Sequence, residues 1–138
     1  MVELDQSNRT PAYLCGRLFA ELEQVQRAAL GDVGASIVDR FYGTASSAPA
    51  TVFGRLVKGA QPHLAKLHRD RQGAYHSLQA RLEEIMENVQ FFPTTLNLEE
   101  QGLFALGYYH QRAADRASAR SHHADISKTQ PHSNIEEE

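Results

Sequence analysis

Apolar residues along this chain return every three or four positions, and nowhere at a sustained interval of two. That spacing lines one face of an α-helix, whereas a half-buried strand needs strict alternation. No Asn-Gly or Asp-Gly hairpin signal is present either. The chain is therefore expected to be all-α. Proline and glycine then divide it. Thr10-Pro11 reads as an N-cap followed by proline at the first helical position, where its missing N–H costs nothing. Leu14, Leu18, Leu22, Val25 and Ala29 follow at helical spacing and stop at Gly31.

The same reading predicts five helices, near 11–30, 35–47, 50–71, 75–90 and 98–119. The second starts by Ser36 and frays among small residues before Pro49. The third is interrupted at Gly59-Ala60-Gln61-Pro62. The fifth opens at Asn97 with Glu100 three residues on, a variant of the capping box. Short connections make this a compact bundle, residues 10–119. The fifth helix is apolar around most of its circumference between Leu103 and Tyr109, which places it at the centre. Leu18, Leu22, Phe53, Leu82, Phe104 and Leu106 are the expected core. Residues 120–138 are polar and read as a tail without its own core, flexible unless a partner holds it.

At 138 residues the chain can bury one core. Cys15 is the only cysteine, so neither an internal disulfide nor a cysteine-based zinc site is possible, and a reducing, cytoplasmic setting is expected. The N-terminal residues lack a signal-peptide pattern, and no apolar run approaches the roughly 20 residues that span a bilayer. A net charge of -3 argues against a free-standing, high-affinity nucleic-acid binder. Glu136, Glu137 and Glu138 account for all of that excess.

Charge on the third segment is patterned. Arg55, Lys58, Lys66 and Arg69 share one helix face, with Pro62 in the same row and Val52, Phe53, Leu56, Leu64 and Leu67 opposite. Arg71 closes the run, and only Asp70 opposes it. Cations at helical pitch can follow a phosphate backbone, because each displaces condensed counterions; a solvated face with no partner explains the pattern equally. A second line, Arg112, Arg116 and Arg120, closes the fifth helix, where the macrodipole also favours cations. If the two lines meet in the fold, they form one groove wall.

Other chemistry is absent. His63 and His68 are five apart, not at the spacing of a helical ligand pair, and His122-His123 fall in the tail, so no metal is expected. Glu83-Glu84 and Glu99-Glu100 are adjacent and point in different directions. No phosphate-binding glycine motif or nucleophile elbow occurs. Cys15 reads as a small packed residue, and Tyr108 and Tyr109 as core rather than base-stacking groups. No catalytic residue and no cofactor is expected.

Several runs resemble a known family. Ala12-Tyr13-Leu14-Cys15-Gly16-Arg17-Leu18-Phe19-Ala20 is similar to the opening of the C-terminal region of the type I-C CRISPR large subunit. So are Asp39-Arg40-Phe41-Tyr42-Gly43-Thr44-Ala45-Ser46, Pro49-Ala50-Thr51-Val52-Phe53, His63-Leu64-Ala65-Lys66-Leu67 and Gln101-Gly102-Leu103-Phe104-Ala105-Leu106-Gly107-Tyr108-Tyr109-His110-Gln111. The likeness covers about residues 11 to 112, and the last run is the most specific. The large subunit is several times longer, and only its C-terminal part is matched here, opening with Met1.

Such a chain is similar to a Cascade small subunit made from an internal start in the large-subunit gene. The resemblance implies a non-catalytic subunit lining the crRNA-bound backbone and holding the opened target DNA, chiefly the displaced non-target strand. Its expected partners are the backbone and large subunits, another copy of itself, that single strand and, indirectly, the crRNA, with no membrane. Arg55, Lys58, Lys66, Arg69, Arg71, Arg112 and Arg116 are the expected nucleic-acid contacts. A neighbour-held subunit needs only modest DNA affinity, which reconciles the net charge with the role. The alternative is a structural spacer that bridges backbone subunits without touching DNA.

Overall fold

The computed structural model describes residues 3–31 and 37–136, with side chains through residue 120. Five helices follow in order, α1 Pro11–Leu30, α2 Ile37–Ser47, α3 Pro49–Asp70, α4 Gln72–Asn88 and α5 Leu98–Glu136, and no strand occurs among the described residues. The all-α expectation holds. The expected start of α2 near 35 and 36 lies outside the described residues. So do the side chains of the polar segment from 121 onward, although the helical backbone of α5 runs past the expected stop near 119.

The ends are set largely as local chemistry dictates. Pro11 and Pro49 occupy first-turn positions of α1 and α3. Thr10 sits at the N-cap of α1, but its side chain makes no capping bond there. At α5 the box closes fully: the Asn97 N–H donates to Glu100 Oε1 at 2.9 Å, and the Glu100 N–H donates to Asn97 Oδ1 at 2.8 Å. The expected interruption of α3 does not occur. Pro62 lies inside a continuous helix, and its ring is exposed. The N–H it lacks would have served the carbonyl of exposed Lys58, where water can take its place.

The centre of the bundle is α1, not α5. From Ala12 through Glu23 every residue of α1 is buried, and α2, α3, α4 and α5 all pack on it. The expectation failed because α1 carries Arg17, Glu21 and Glu23, which read as surface residues yet are all buried. Leu106 is the matching correction: it is 48% exposed. Two residues along a helix turn about 200°, so Leu106 faces away from α1 when Phe104 faces it. The remaining expected core, Leu18, Leu22, Phe53, Leu82 and Phe104, is buried.

Phe19 of α1 is the aromatic hub, with ring contacts to Tyr42, Phe53, Phe104 and Tyr108. Edge-on packing at these distances favours the ring quadrupoles. Beside it α1 and α5 touch backbone to backbone. A Cβ on Gly16 would collide with the Phe104 carbonyl, and one on Gly107 with the Tyr13 carbonyl. Only glycine at both positions permits this crossing. The segment between α4 and α5 is tied to the α2–α3 joint, where the Ala50 N–H donates to the Pro93 carbonyl and the Leu96 N–H to the Ser47 carbonyl.

Candidate nucleic-acid interface

The seven basic residues singled out in the sequence separate into two groups. Arg55, Lys58, Lys66 and Arg69 all lie on the exposed face of α3, with Val52, Phe53, Leu56, Leu64 and Leu67 buried opposite. Arg55, Lys58 and Arg69 make no hydrogen bond or ion pair among the described residues. Lys66 is engaged: its Nζ donates to the Ala29 carbonyl at 2.9 Å. Arg71 does the same through Nη1 to the Ala28 carbonyl at 3.1 Å. With the Gly31 N–H on the Arg27 carbonyl, these contacts satisfy the Arg27, Ala28 and Ala29 carbonyls in the last turn of α1, and the two cations sit at the negative end of its dipole.

Arg71, Arg112 and Arg116 come together from distant parts of the chain. They line one open cleft of about 860 Å³ between the C-terminal half of α1, the first turns of α4 and the middle of α5. Arg27 and Arg81 line it too, and Asp115 is its only carboxylate among the lining residues. Of the first basic line only Arg71, which closes it, reaches the cleft; Arg55, Lys58, Lys66 and Arg69 are not among the residues that line it. Gly73, Ala74, Ser77, Ser118 and Ala119 keep the walls low, which leaves the guanidinium groups within reach of a ligand.

Two carboxylate clusters beneath the cleft fix those guanidiniums. In the first, Glu23 of α1, nearly inaccessible, accepts from the Tyr108 hydroxyl at 2.7 Å and from Arg27 Nη2 at 3.2 Å. Arg112 lies over the Tyr108 ring, 5.4 Å from its centroid, with Nε 3.8 Å from Glu23. Burial and then Glu23 push the Tyr108 hydroxyl far above its ordinary range, so it stays a donor. In the second, Arg81 Nε bridges both oxygens of buried Glu21 at 3.1 Å and reaches Asp115 at 3.3 Å. Glu21 is pushed up to about 9, first by burial and then by its hydrogen bond and repulsion with Asp115. A Glu21 that holds its proton adds no negative charge beside Arg81. The net positive charge of the described cleft wall therefore survives its buried acids.

Other candidates fall elsewhere. Arg17 is buried, with Nε donating to Gln111 at 2.7 Å and Nη2 paired to Glu84 at 2.7 Å, so it ties α1 to α4 and α5. Tyr108 is core as expected, whereas Tyr109 is 57% exposed. Cys15 is buried, and desolvation pushes its thiol up to about 12, so it carries no thiolate at neutral pH. His110 bonds the Tyr13 hydroxyl at 2.9 Å. His122 and His123 lie outside the described side chains. No helix among the described residues is long and apolar enough to cross a membrane.

Arg27 and Arg81 were missed in the sequence. Arg27 shares α1 only with Arg17, ten residues earlier, and Arg81 is the one arginine of α4, beside Glu83 and Glu84, so neither belongs to a row; only the packing of α1 against α4 and α5 brings them to one wall. Guanidinium groups along an open cleft can offer paired donors to anionic oxygens. The model of the CRISPR-associated protein family Cas_Csd1 matches residues 1–115, so the chain belongs to that family, and with it the resemblance to a type I-C Cascade-related protein is borne out. No curated protein matches the chain.

Proposed function

We propose that this CRISPR-associated chain is a non-catalytic small subunit of a type I-C Cascade, working in the cytoplasm. It lines the crRNA-bound backbone, beside the large subunit, and stabilises the opened target DNA through sequence-independent contacts to the displaced strand. The observation that carries this reading is the cleft: Arg71, Arg112 and Arg116 share one wall with Arg27 and Arg81. Guanidinium groups offer paired donors to phosphate oxygens. Such contacts read no bases, as suits a complex whose guide pairing reads sequence. Arg55, Lys58 and Arg69 on α3 and Arg116 on the cleft rim have no hydrogen-bond or ion-pair partner among the described residues and are the cations most available to a strand.

The spacer reading has one observation in its favour. Lys66 and Arg71 already serve carbonyls of α1, which lowers the charge left for a ligand. The experiment compares assembled complexes with and without charge reversal at Lys58, Arg69 and Arg116 on a pre-opened DNA bubble. Reversal should weaken strand capture and flatten its salt dependence, by a slope of about 0.7 for each phosphate no longer neutralised. Guide-dependent sequence preference should not change. Equal binding at every salt concentration would establish the spacer.

A further inference from the structure

Arg69, near the end of the α3 row, lines an open pocket of about 460 Å³ between the C-terminal half of α3 and the start of α4. None of its lining residues belongs to the arginine cleft. Two rings wall it. His68 of α3 and Tyr75 of α4 meet edge-on, with centroids 4.7 Å apart and planes at 77°, so they form a corner of one flat wall and one edge. His68 is exposed. Tyr75 is half-buried against the core and also meets His76 edge-on at 5.2 Å. Two side-chain amides complete the lining. Gln61 Nε2 donates to the Val57 carbonyl at 3.3 Å and Gln79 Nε2 to Glu83 at 3.0 Å. Each leaves its Oε1 without a donor among the described residues.

We propose that this corner seats one unpaired nucleobase of a strand whose phosphates run along Arg55, Lys58 and Arg69. The site rests on the strand-holding reading and adds a contact that phosphates cannot make. A base has flat faces, so it stacks on one ring of the corner and meets the other edge-on. Its pairing edge is free only in a single strand. Every base carries an N–H donor there, which the Gln61 and Gln79 oxygens can accept. A duplex offers no such edge. Arg69 at the rim takes the adjoining phosphate with paired donors. Because any base supplies a face and a donor, the corner admits them all, and guide pairing remains the reader of sequence. The arginine cleft cannot act this way, since no aromatic residue lines it.

The test uses assembled complexes on a pre-opened DNA bubble whose displaced strand is either thymidine or abasic at every position. The abasic strand keeps its phosphates and loses its bases. Wild type should capture the thymidine strand about tenfold more tightly than the abasic one. Tyr75→Leu keeps apolar packing without a flat ring, and His68→Ala alters an exposed side chain. Each should cut that ratio to below about threefold and leave capture of the abasic strand unchanged. A wild-type ratio of one, or a ratio that neither variant moves, overturns the base site. The strand-holding reading then stands if reversal at Lys58, Arg69 and Arg116 still weakens capture; if reversal changes nothing, both fail. Variants that weaken both strands equally make the two rings structural and refute the site. Loss of complex assembly in both variants gives the corner to a protein neighbour and likewise refutes it.

Discussion

Replacing Gly107 with alanine sets two opposing effects against each other. Alanine in a helix interior is favoured over glycine by about 0.8–1 kcal/mol. At Gly107, however, the added methyl would run into the Tyr13 carbonyl. That carbonyl belongs to the hydrogen-bond ladder of α1 and cannot swing aside as a side chain could. The helices must separate instead, and the layer they share holds Tyr13, Phe104 and Tyr108, each at most 2% exposed. Overpacking costs about 1–3 kcal/mol. Because backbone meets backbone, the upper figure applies, and about 2 kcal/mol of destabilisation remains after the helix gain. In a chain of this size each kcal/mol moves the melting temperature by roughly 3–5 °C, so Gly107→Ala should melt about 6–10 °C lower. Gly54→Ala is the control. Gly54 is exposed in α3 with nothing within 4 Å of its would-be Cβ, and its variant should melt roughly 3–5 °C higher. Thermal and urea unfolding followed by far-UV circular dichroism reads both. A Gly107→Ala chain at least as stable as wild type would mean that α1 and α5 do not cross on these glycines.

Other outcomes follow from packing and charge. Phe104→Ala should cost about 3–5 kcal/mol in urea unfolding, because Phe104 is fully buried against Phe19 and Tyr42. Arg17→Met should cost about 1–3 kcal/mol by leaving buried Gln111 without its donor; Glu84→Gln should cost less, since Glu84 is 42% exposed and can rehydrate. Glu21 keeps its proton in the folded chain up to about 9 but loses it near 4.5 when unfolded. Between those values the unfolded state binds fewer protons, so stability should fall as pH rises through that window. Glu21→Gln should flatten the fall, as read by melting temperature against pH. Lys66→Glu should destabilise by about 0.5–1 kcal/mol, since it sets an anion at the negative end of α1; an unchanged melting temperature would free Lys66 for a ligand.

Helix count and order were legible in the sequence because proline, glycine and the Asn97–Glu100 pair act locally. The α3 face was legible too, since its apolar and basic rows are both strictly periodic. The centre was not. Arg17, Glu21 and Glu23 look like solvated residues until Glu84, Gln111, Arg81 and Tyr108 are seen to satisfy them, and those partners lie far along the chain. Composition around α5 misled for the converse reason: Leu106 and Tyr109 are apolar yet exposed. Of the cleft, three arginines stood in visible rows and two did not, because a groove between three helices has no sequence period.

The crossing of α1 and α5 also sets the order of events during synthesis. Arg17 meets Gln111 across 94 residues. At translation rates of about 5–20 residues per second, α1 waits about 5–20 s for the helix that completes its surroundings. Through that interval Phe19 and three charged side chains that end up buried must face water or a chaperone. Contacts between chain-distant helices also slow folding relative to a bundle of sequential neighbours, since the loop must close before the contacts reward it. The nascent chain is thus most open to misassociation at its first helix, and only the arrival of the last one ends that exposure.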